Sequence, residues 1–250
     1  MEREAYEELY CLEPSHWWYC GMRQITDRIL SSILMRQRKL RILDAGCGVG
    51  GNLTAFSTYG QAFGLDYSPL ALAYAKETHS GKLVQATVEG LPYADNSFDL
   101  VTSFDVLCCR EVEDDVRALA EFTRVLRTGG YVLARLPALS ILRGPHDTIV
   151  HGVRRYTTSE LRQMVLQVGL IPVRLTYLNS LLMPLIFVIR QIQNLWARFG
   201  APPRSDVRAT PQAINAVLLN ILRFEAGWIG KGRHFPAGVS VLCLALKPEP

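Results

Sequence analysis

Apolar positions alternate along the chain between helical stripes and short continuous runs. Trp18, Met22, Ile25, Ile29 and Ile33 lie three or four apart within residues 17–36, which is the face of a helix, and an apolar run of strand length follows at 40–44. A helix over about 50–59 and a strand at 62–66 come next. Ser68 and Pro69, an N-cap followed by proline at the first helical position, open another helix that ends before Gly81. A third strand is predicted at 82–85. Residues 98–104 are nearly all apolar, as in a strand buried on both faces. Val112, Val116, Leu119, Ala120, Thr123 and Leu126 form a further helical stripe, Gly129 and Gly130 end it, and 131–136 resumes as strand. A capping box from Thr157 to Glu160 opens a helix that closes at Gly169, with a sixth strand over 170–177. This alternation predicts a doubly wound parallel α/β sheet with its ligand at the carboxyl ends of the strands.

The pattern loosens after Tyr177. An apolar run, Leu181–Ile189, contains Pro184 and spans nine residues, well short of the ~20 that cross a bilayer. It reads as a buried helix or strand–helix junction, or else as a hydrophobic lid, a dimer face or a patch resting on a membrane. A Pro-rich loop at 201–204 and a helix from Gln212 to about Gly227 complete the interval.

The chemistry concentrates in LRILDAGCGVGGNLTAFSTYGQAFGLD at 40–66. A strand that stops at a glycine-rich turn before a helix lets a ligand approach bare backbone N–H groups. A carboxylate about twenty residues on, here Asp66, accepts hydrogen bonds from ribose hydroxyls. Gly46, Gly48 and Gly51 satisfy the dinucleotide pattern G-x-G-x-x-G, whereas Asp44, Gly46, Gly48 and Gly50 satisfy D-x-G-x-G-x-G. Asp44 favours the second, because a carboxylate at this turn repels a pyrophosphate and attracts the sulfonium and ammonium of S-adenosylmethionine (SAM).

Composition narrows the classes. The chain of 250 residues has 27 Lys and Arg against 23 Asp and Glu, a net charge of +4 without a basic block, which argues against nucleic acid. Cys11, Cys20, Cys47, Cys108, Cys109 and Cys243 lack C-x-x-C spacing, so reduced thiols and no metal site are expected. The acidic start, MEREAYEELY, lacks the basic flank and apolar run of a secretion signal. A cytoplasmic protein is therefore expected.

The segment from Asp44 to Gly50 resembles the first motif of the class I SAM-dependent methyltransferases. LPYADNSFDLV at 91–101, FDVL at 104–107 and EFTRVLRTGGYV at 121–132 are similar to further segments of their small-molecule branch. HWWY at 16–19, HDTIVHGVRRYT at 146–157 and FPAGVS at 235–240 resemble a bacterial subgroup linked to glycan, lipid or natural-product pathways. The resemblance implies a Rossmann-like seven-stranded sheet, with 238–246 as an antiparallel strand and a helical insertion before it. The implied division is an N-terminal helical lid at 1–39, a SAM-binding core at 40–178, an insertion or cap at 179–237 and the core's final strand at 238–250.

Carried over residue by residue, the resemblance implies that Asp44 holds the SAM amino group, Gly46, Cys47 and Gly48 admit the methionine portion, and Asp66 takes the ribose. Tyr67 would flank the adenine, and Thr87, Val88 and Ser103 would complete the cofactor site. Where relatives show Glu-His after FDVL, this chain has Cys108 and Cys109, which read as small buried residues or as a reactive thiol. His16, Trp17 and Tyr19 are either an aromatic cluster or a lid whose ring faces attract the sulfonium, with Arg23 one turn later able to meet the SAM carboxylate.

After the fifth strand come His146, Asp147, His151, Arg154, Arg155 and Tyr156, in a loop that should overhang the transferred methyl. A neutral imidazole there can take a proton from a hydroxyl acceptor, with Asp147 orienting it, while Arg154, Arg155 and Tyr156 would bind the acceptor or form salt bridges. The expected reaction is methyl transfer from SAM to a small-molecule, lipid-linked or glycan-linked acceptor, with oxygen as the first choice of atom. The alternatives are an NAD(P)-dependent oxidoreductase and a non-catalytic SAM-fold binding protein. A monomer or homodimer is expected, without a transmembrane segment but with peripheral membrane contact left open.

Overall fold

The computed structural model describes residues 3–33, 39–79, 82–200 and 209–249. Helices α1 (Arg3–Leu12) and α2 (Trp17–Ile33) precede strand β1 (Leu40–Ala45), and α3 (Gly51–Phe56), β2 (Gly60–Asp66), α4 (Pro69–Thr78) and β3 (Lys82–Gln85) follow. Then come β4 (Phe98–Phe104), α5 (Asp115–Val125), β5 (Leu126–Pro137), α6 (Pro145–Ile149), α7 (Thr158–Gln167) and β6 (Ile171–Leu178). Helices α8 (Met183–Arg198) and α9 (Gln212–Gly230) lead to β7 (Ser240–Leu246). The seven strands form one sheet in the order β3-β2-β1-β4-β5-β7-β6, with β7 antiparallel to both neighbours. The winding reverses between β1 and β4, the crevice where ligands of open α/β sheets bind.

Successive residues of each strand go to opposite faces. Leu43, Val101, Val132 and Val241 pack with Leu119, Phe122, Leu161 and Val165 on one side. Ile42, Leu100, Leu133 and Leu242 pack with Met22, Ile25, Ile29, Leu222 and Ala226 on the other. Helices α2 and α9 thus share one face of the sheet. Gly21 makes their approach possible, since a Cβ there would lie 2.3 Å from Leu222 Cδ1.

Three sequence expectations change. Gly129 and Gly130 do not stop α5. The helix ends at Val125 as Leu126 turns extended, and both glycines lie inside β5, where Gly129 has φ +75° and its N–H donates to the Lys247 carbonyl. The run Leu181–Ile189 is not a buried element: it enters the first half of α8, where Leu185 and Val188 are more than half exposed. Helices α1 and α6 had no counterpart among the predicted elements. The Pro-rich loop at 201–204 and Gly81 lie outside the described residues.

Candidate active site

A cavity of about 1000 Å³ opens at the carboxyl ends of the parallel strands. Its cofactor end is the turn after β1. Gly46 and Gly48 have φ of +90° and +55°, a region that disfavours side chains. A Cβ on Gly46 would meet Val106 at 2.1 Å, whereas one on Gly48 would meet no atom of the described residues within 4 Å, since that position faces the open cavity.

Asp66, at the end of β2, ties this turn to α4. One carboxylate oxygen accepts the Gly48 N–H at 2.8 Å and the other the Ser68 N–H at 2.9 Å. Burial raises its pKa against these two bonds. Each oxygen keeps a further acceptor site for a hydroxyl.

Asp44 stands behind the turn. The β1–β4 register sets it beside Thr102, whose hydroxyl donates to Oδ1 at 2.7 Å. Oδ2 is buried and has no partner among the described residues. Burial pushes the Asp44 pKa up to about 7, with Thr102 opposing and the nearby Glu13 and Asp66 carboxylates adding to the rise.

Cys47, Tyr67, Thr87 and Val88 reach the cavity wall beside Gly46, Gly48 and Asp66. Burial raises the Cys47 thiol above its ordinary value, with the Asp44 and Asp66 carboxylates adding to the rise. Tyr67 is 62% exposed at the mouth. Ser103 is a correction: it does not line the cavity, and its hydroxyl donates at 3.0 Å to the Ala45 carbonyl as a link between β4 and β1.

The aromatic run at the start of α2 borders the cavity beside the glycine turn. His16, Trp17, Tyr19 and Arg23 all line the cavity. The Trp17 N–H donates to Asn215 of α9 at 2.8 Å, and His16 packs against the Trp17 and Tyr19 rings. Burial raises the Tyr19 phenol. Arg23 donates at 2.7 Å to the Glu13 carbonyl. Arg135, from β5, lies over the Phe104 ring at 4.9 Å and pairs with Asp105 at 2.6 Å.

At the far end His146 and His151 reach the wall, but the charges near them are arranged differently from expectation. Asp147 does not orient His151. Its carboxylate holds Arg155 through bonds of 2.8–3.0 Å and accepts the Gly144 N–H at 2.8 Å as the cap of α6. Arg155 is spent on this pair and the Ala138 carbonyl. Its side chain is only 2% exposed, and burial lowers its pKa.

Arg154 and Tyr156 leave the cavity altogether. Both hold Asp115 in the first turn of α5, at 3.3 and 2.7 Å. The partner of His151 is Glu111, whose carboxylate hydrogen-bonds Nδ1. Burial acts to raise the Glu111 pKa, but the His151 hydrogen bond prevails and lowers it. Cys108 is buried, and its thiol is raised by a hydrogen bond with Cys109 and by burial, as a packing residue's would be. Nothing in the sequence singles out Glu111 and Arg135, whose partners lie 40 and 30 positions away, or Glu13, whose partner Arg23 is 10 positions on.

Residues 43–134 match the family described as "Methyltransferase domain". A protein of Mycobacterium tuberculosis named as a probable S-adenosylmethionine-dependent methyltransferase is 25% identical over 166 residues, 65% of this chain and 58% of that protein. The malonyl-[acyl-carrier protein] O-methyltransferase of Pectobacterium atrosepticum is 31% identical over 120 residues, 46% of this chain and 45% of that protein. The chain therefore spans about half the length of these relatives. A Haloferax volcanii chain solved with the Trm112 methyltransferase activator shares the fold, with a TM-score of 0.63 at 18% identity, covering 99% of this chain and 95% of that one.

The sheet order is that of the class I methyltransferase fold, and residues 43–134 are similar to a methyltransferase domain whose relatives include proteins named for dependence on the cofactor SAM. The residues present fit that cofactor. Among the described residues, Asp44 Oδ2 lacks a partner and the gap beside Gly48 is bare of side chains, and Asp66 offers acceptors at the end of β2. No described helix is long and apolar enough to cross a membrane. Among the described residues, no cluster of His, Cys, Asp and Glu is suited to a metal ion.

Proposed function

We propose that this protein transfers the methyl group of SAM to an oxygen of a small or lipid-linked acceptor. The observation that carries the reading is the continuity of the cavity. One space runs from Gly48, Asp66 and Thr87 past His151 to Ile186, Ile189 and Trp196 of α8. When bound, SAM supplies a methyl already activated by the positive sulfur. The chain's task is then to align the nucleophile within ~3–3.5 Å and exclude water. The apolar wall of α8 suits a hydrophobic portion of the acceptor. The O-methyltransferase named among the relatives supports oxygen as the receiving atom.

His151 is the base in this reading, and Glu111 replaces the expected Asp147 as the group that orients it. A carboxylate on Nδ1 leaves Nε2 as the acceptor of the proton. The acidic surroundings of the turn, with Asp44, Asp66 and Glu13, oppose a pyrophosphate and so disfavour the oxidoreductase alternative. The assay is transfer of a labelled methyl from SAM to a panel of hydroxyl acceptors with and without acyl chains. His151→Ala should lower kcat by ~10²-fold or more with SAM affinity retained, and Glu111→Gln by a smaller factor. Full activity in both variants would leave alignment alone as the source of rate. Failure to turn over SAM with every acceptor would favour a non-catalytic binding protein.

A further inference from the structure

Helix α8 is amphipathic in the reverse sense. At the ~100° turn per residue of a helix, Leu185, Val188, Ile189, Ile192, Leu195 and Trp196 fall within about 120° of one face. Their exposure runs from 44% at Ile189 to 63% at Trp196, and Phe199, which ends the same stripe, is 83% exposed. The polar residues of the helix turn inward instead. Gln191 donates to the Ile141 carbonyl at 3.4 Å, Asn194 to the Arg143 carbonyl at 2.9 Å, and the buried Arg190 to the Leu142 carbonyl. These bonds to the segment before α6 fix the rotation of the helix, so its apolar stripe is held outward.

The interval that carries α8 is also charged with one sign. Residues 179–237 hold seven Arg and Lys against two acids, while the rest of the chain holds 20 against 21. Of the two acids, Glu225 is buried and accepts the Leu181 N–H at 2.8 Å. Arg198, Arg223, Lys231 and Arg233 are exposed. An outward apolar stripe in a basic interval is the complement of an anionic lipid surface. With 16 residues α8 is about 24 Å long, too short to cross a hydrocarbon core of ~30 Å, so it lies along the surface. A second copy fits this face less well. Two basic intervals would meet and repel, and the contact would cover Ile189, Ile192 and Trp196, which belong both to the stripe and to the cavity wall.

We propose that α8 docks this stripe on an anionic lipid surface, and that the acceptor's chain passes from the bilayer along Ile192 and Trp196 into the cavity. The second step rests on a lipid-linked acceptor of the methyl group; the docking does not. Docking turns the apolar end of the cavity toward the phase in which such an acceptor is dissolved.

The test is flotation of the 250-residue chain with vesicles of phosphatidylcholine alone and of phosphatidylcholine mixed with phosphatidylglycerol. Binding should favour the mixed vesicles by ~10-fold or more and weaken as salt is raised. Val188→Glu and Leu195→Glu, neither of them at the cavity wall, should each lose ~10-fold or more in vesicle affinity and keep their affinity for SAM. Arg198→Glu should narrow the preference for the anionic vesicles. Brominated acyl chains should quench the tryptophan fluorescence of the wild type, and Trp196→Phe should lose most of that quenching. Absence of flotation with both vesicles, or flotation unchanged in both glutamate variants, would overturn the docking. So would a wild-type dimer that Leu195→Glu converts to monomer without loss of vesicle binding, which would assign the face to a second copy. An active enzyme that never floats would overturn the docking alone, and a chain that floats but methylates no acceptor would overturn the acceptor reading alone.

Discussion

A single proton on Asp44 links folding and cofactor binding with opposite signs. The carboxyl ionises near pH 3.9 in an unfolded chain and at about 7 in the folded one, where Glu13, Asp66, Arg135 and Thr102 surround it. Between these values the folded protein keeps a proton that the unfolded chain has lost. Stability from this group therefore falls as pH rises from about 4 to 7 and levels off above. A cationic cofactor favours the ionised form, so SAM affinity should rise with pH between about 6 and 8, with a proton released on binding below 7. Calorimetry at pH 6.5 in two buffers of different ionisation heat measures that proton. Asp44→Asn should abolish both the release and the slope, and a slope surviving in that variant would assign the proton elsewhere. The placement of Asp44, Gly46, Gly48 and Asp66 around one turn is legible in the sequence because that turn and one strand end specify it locally. Arg155 and His151 were not, because sequence shows which charges exist and not which partner neutralises each: Asp147 is eight positions from Arg155, and Glu111 is forty from His151.

Among the elements, the pairing of α2 with α9 makes part of the 179–237 interval structural. Leu222 is fully buried against Gly21 and belongs to the cluster of Met22, Ile25 and Ile29. Leu222→Ala should cost about 2–5 kcal/mol, as for other buried leucines, read as a lower urea midpoint at unchanged slope. A loss under 1 kcal/mol would mean that α9 is only loosely docked. The stripe of α2 was visible in its period, but its partner was not, since α9 is apolar on more than one face: Ile214, Val217 and Phe224 are over half exposed. The same ambiguity hid the role of α8, whose residues divide between solvent and the cavity. The glycine pair at 129–130 misled for a different reason. Gly-Gly signals a helix end, yet a close approach demands it here: a Cβ on Gly130 would lie 2.8 Å from the Asp99 carbonyl oxygen.

For the molecule as a whole, the alternation of strands and helices gave the doubly wound sheet, while the position of β7 came from the resemblance rather than from periodicity. That position sets a timetable for synthesis. β7 lies between β5 and β6, so both strands leave the ribosome before the one that joins them. Until Ser240–Leu246 emerges, each presents an unpaired edge, and Val241, Cys243 and Ala245 are missing from one core while Leu242 and Leu244 are missing from the other. A chain truncated after residue 239 should therefore be cleaved readily by protease between β5 and α9, whereas the 250-residue chain, with β7 in place, should resist. Until β7 takes its place, the newborn protein depends on being shielded from its own copies.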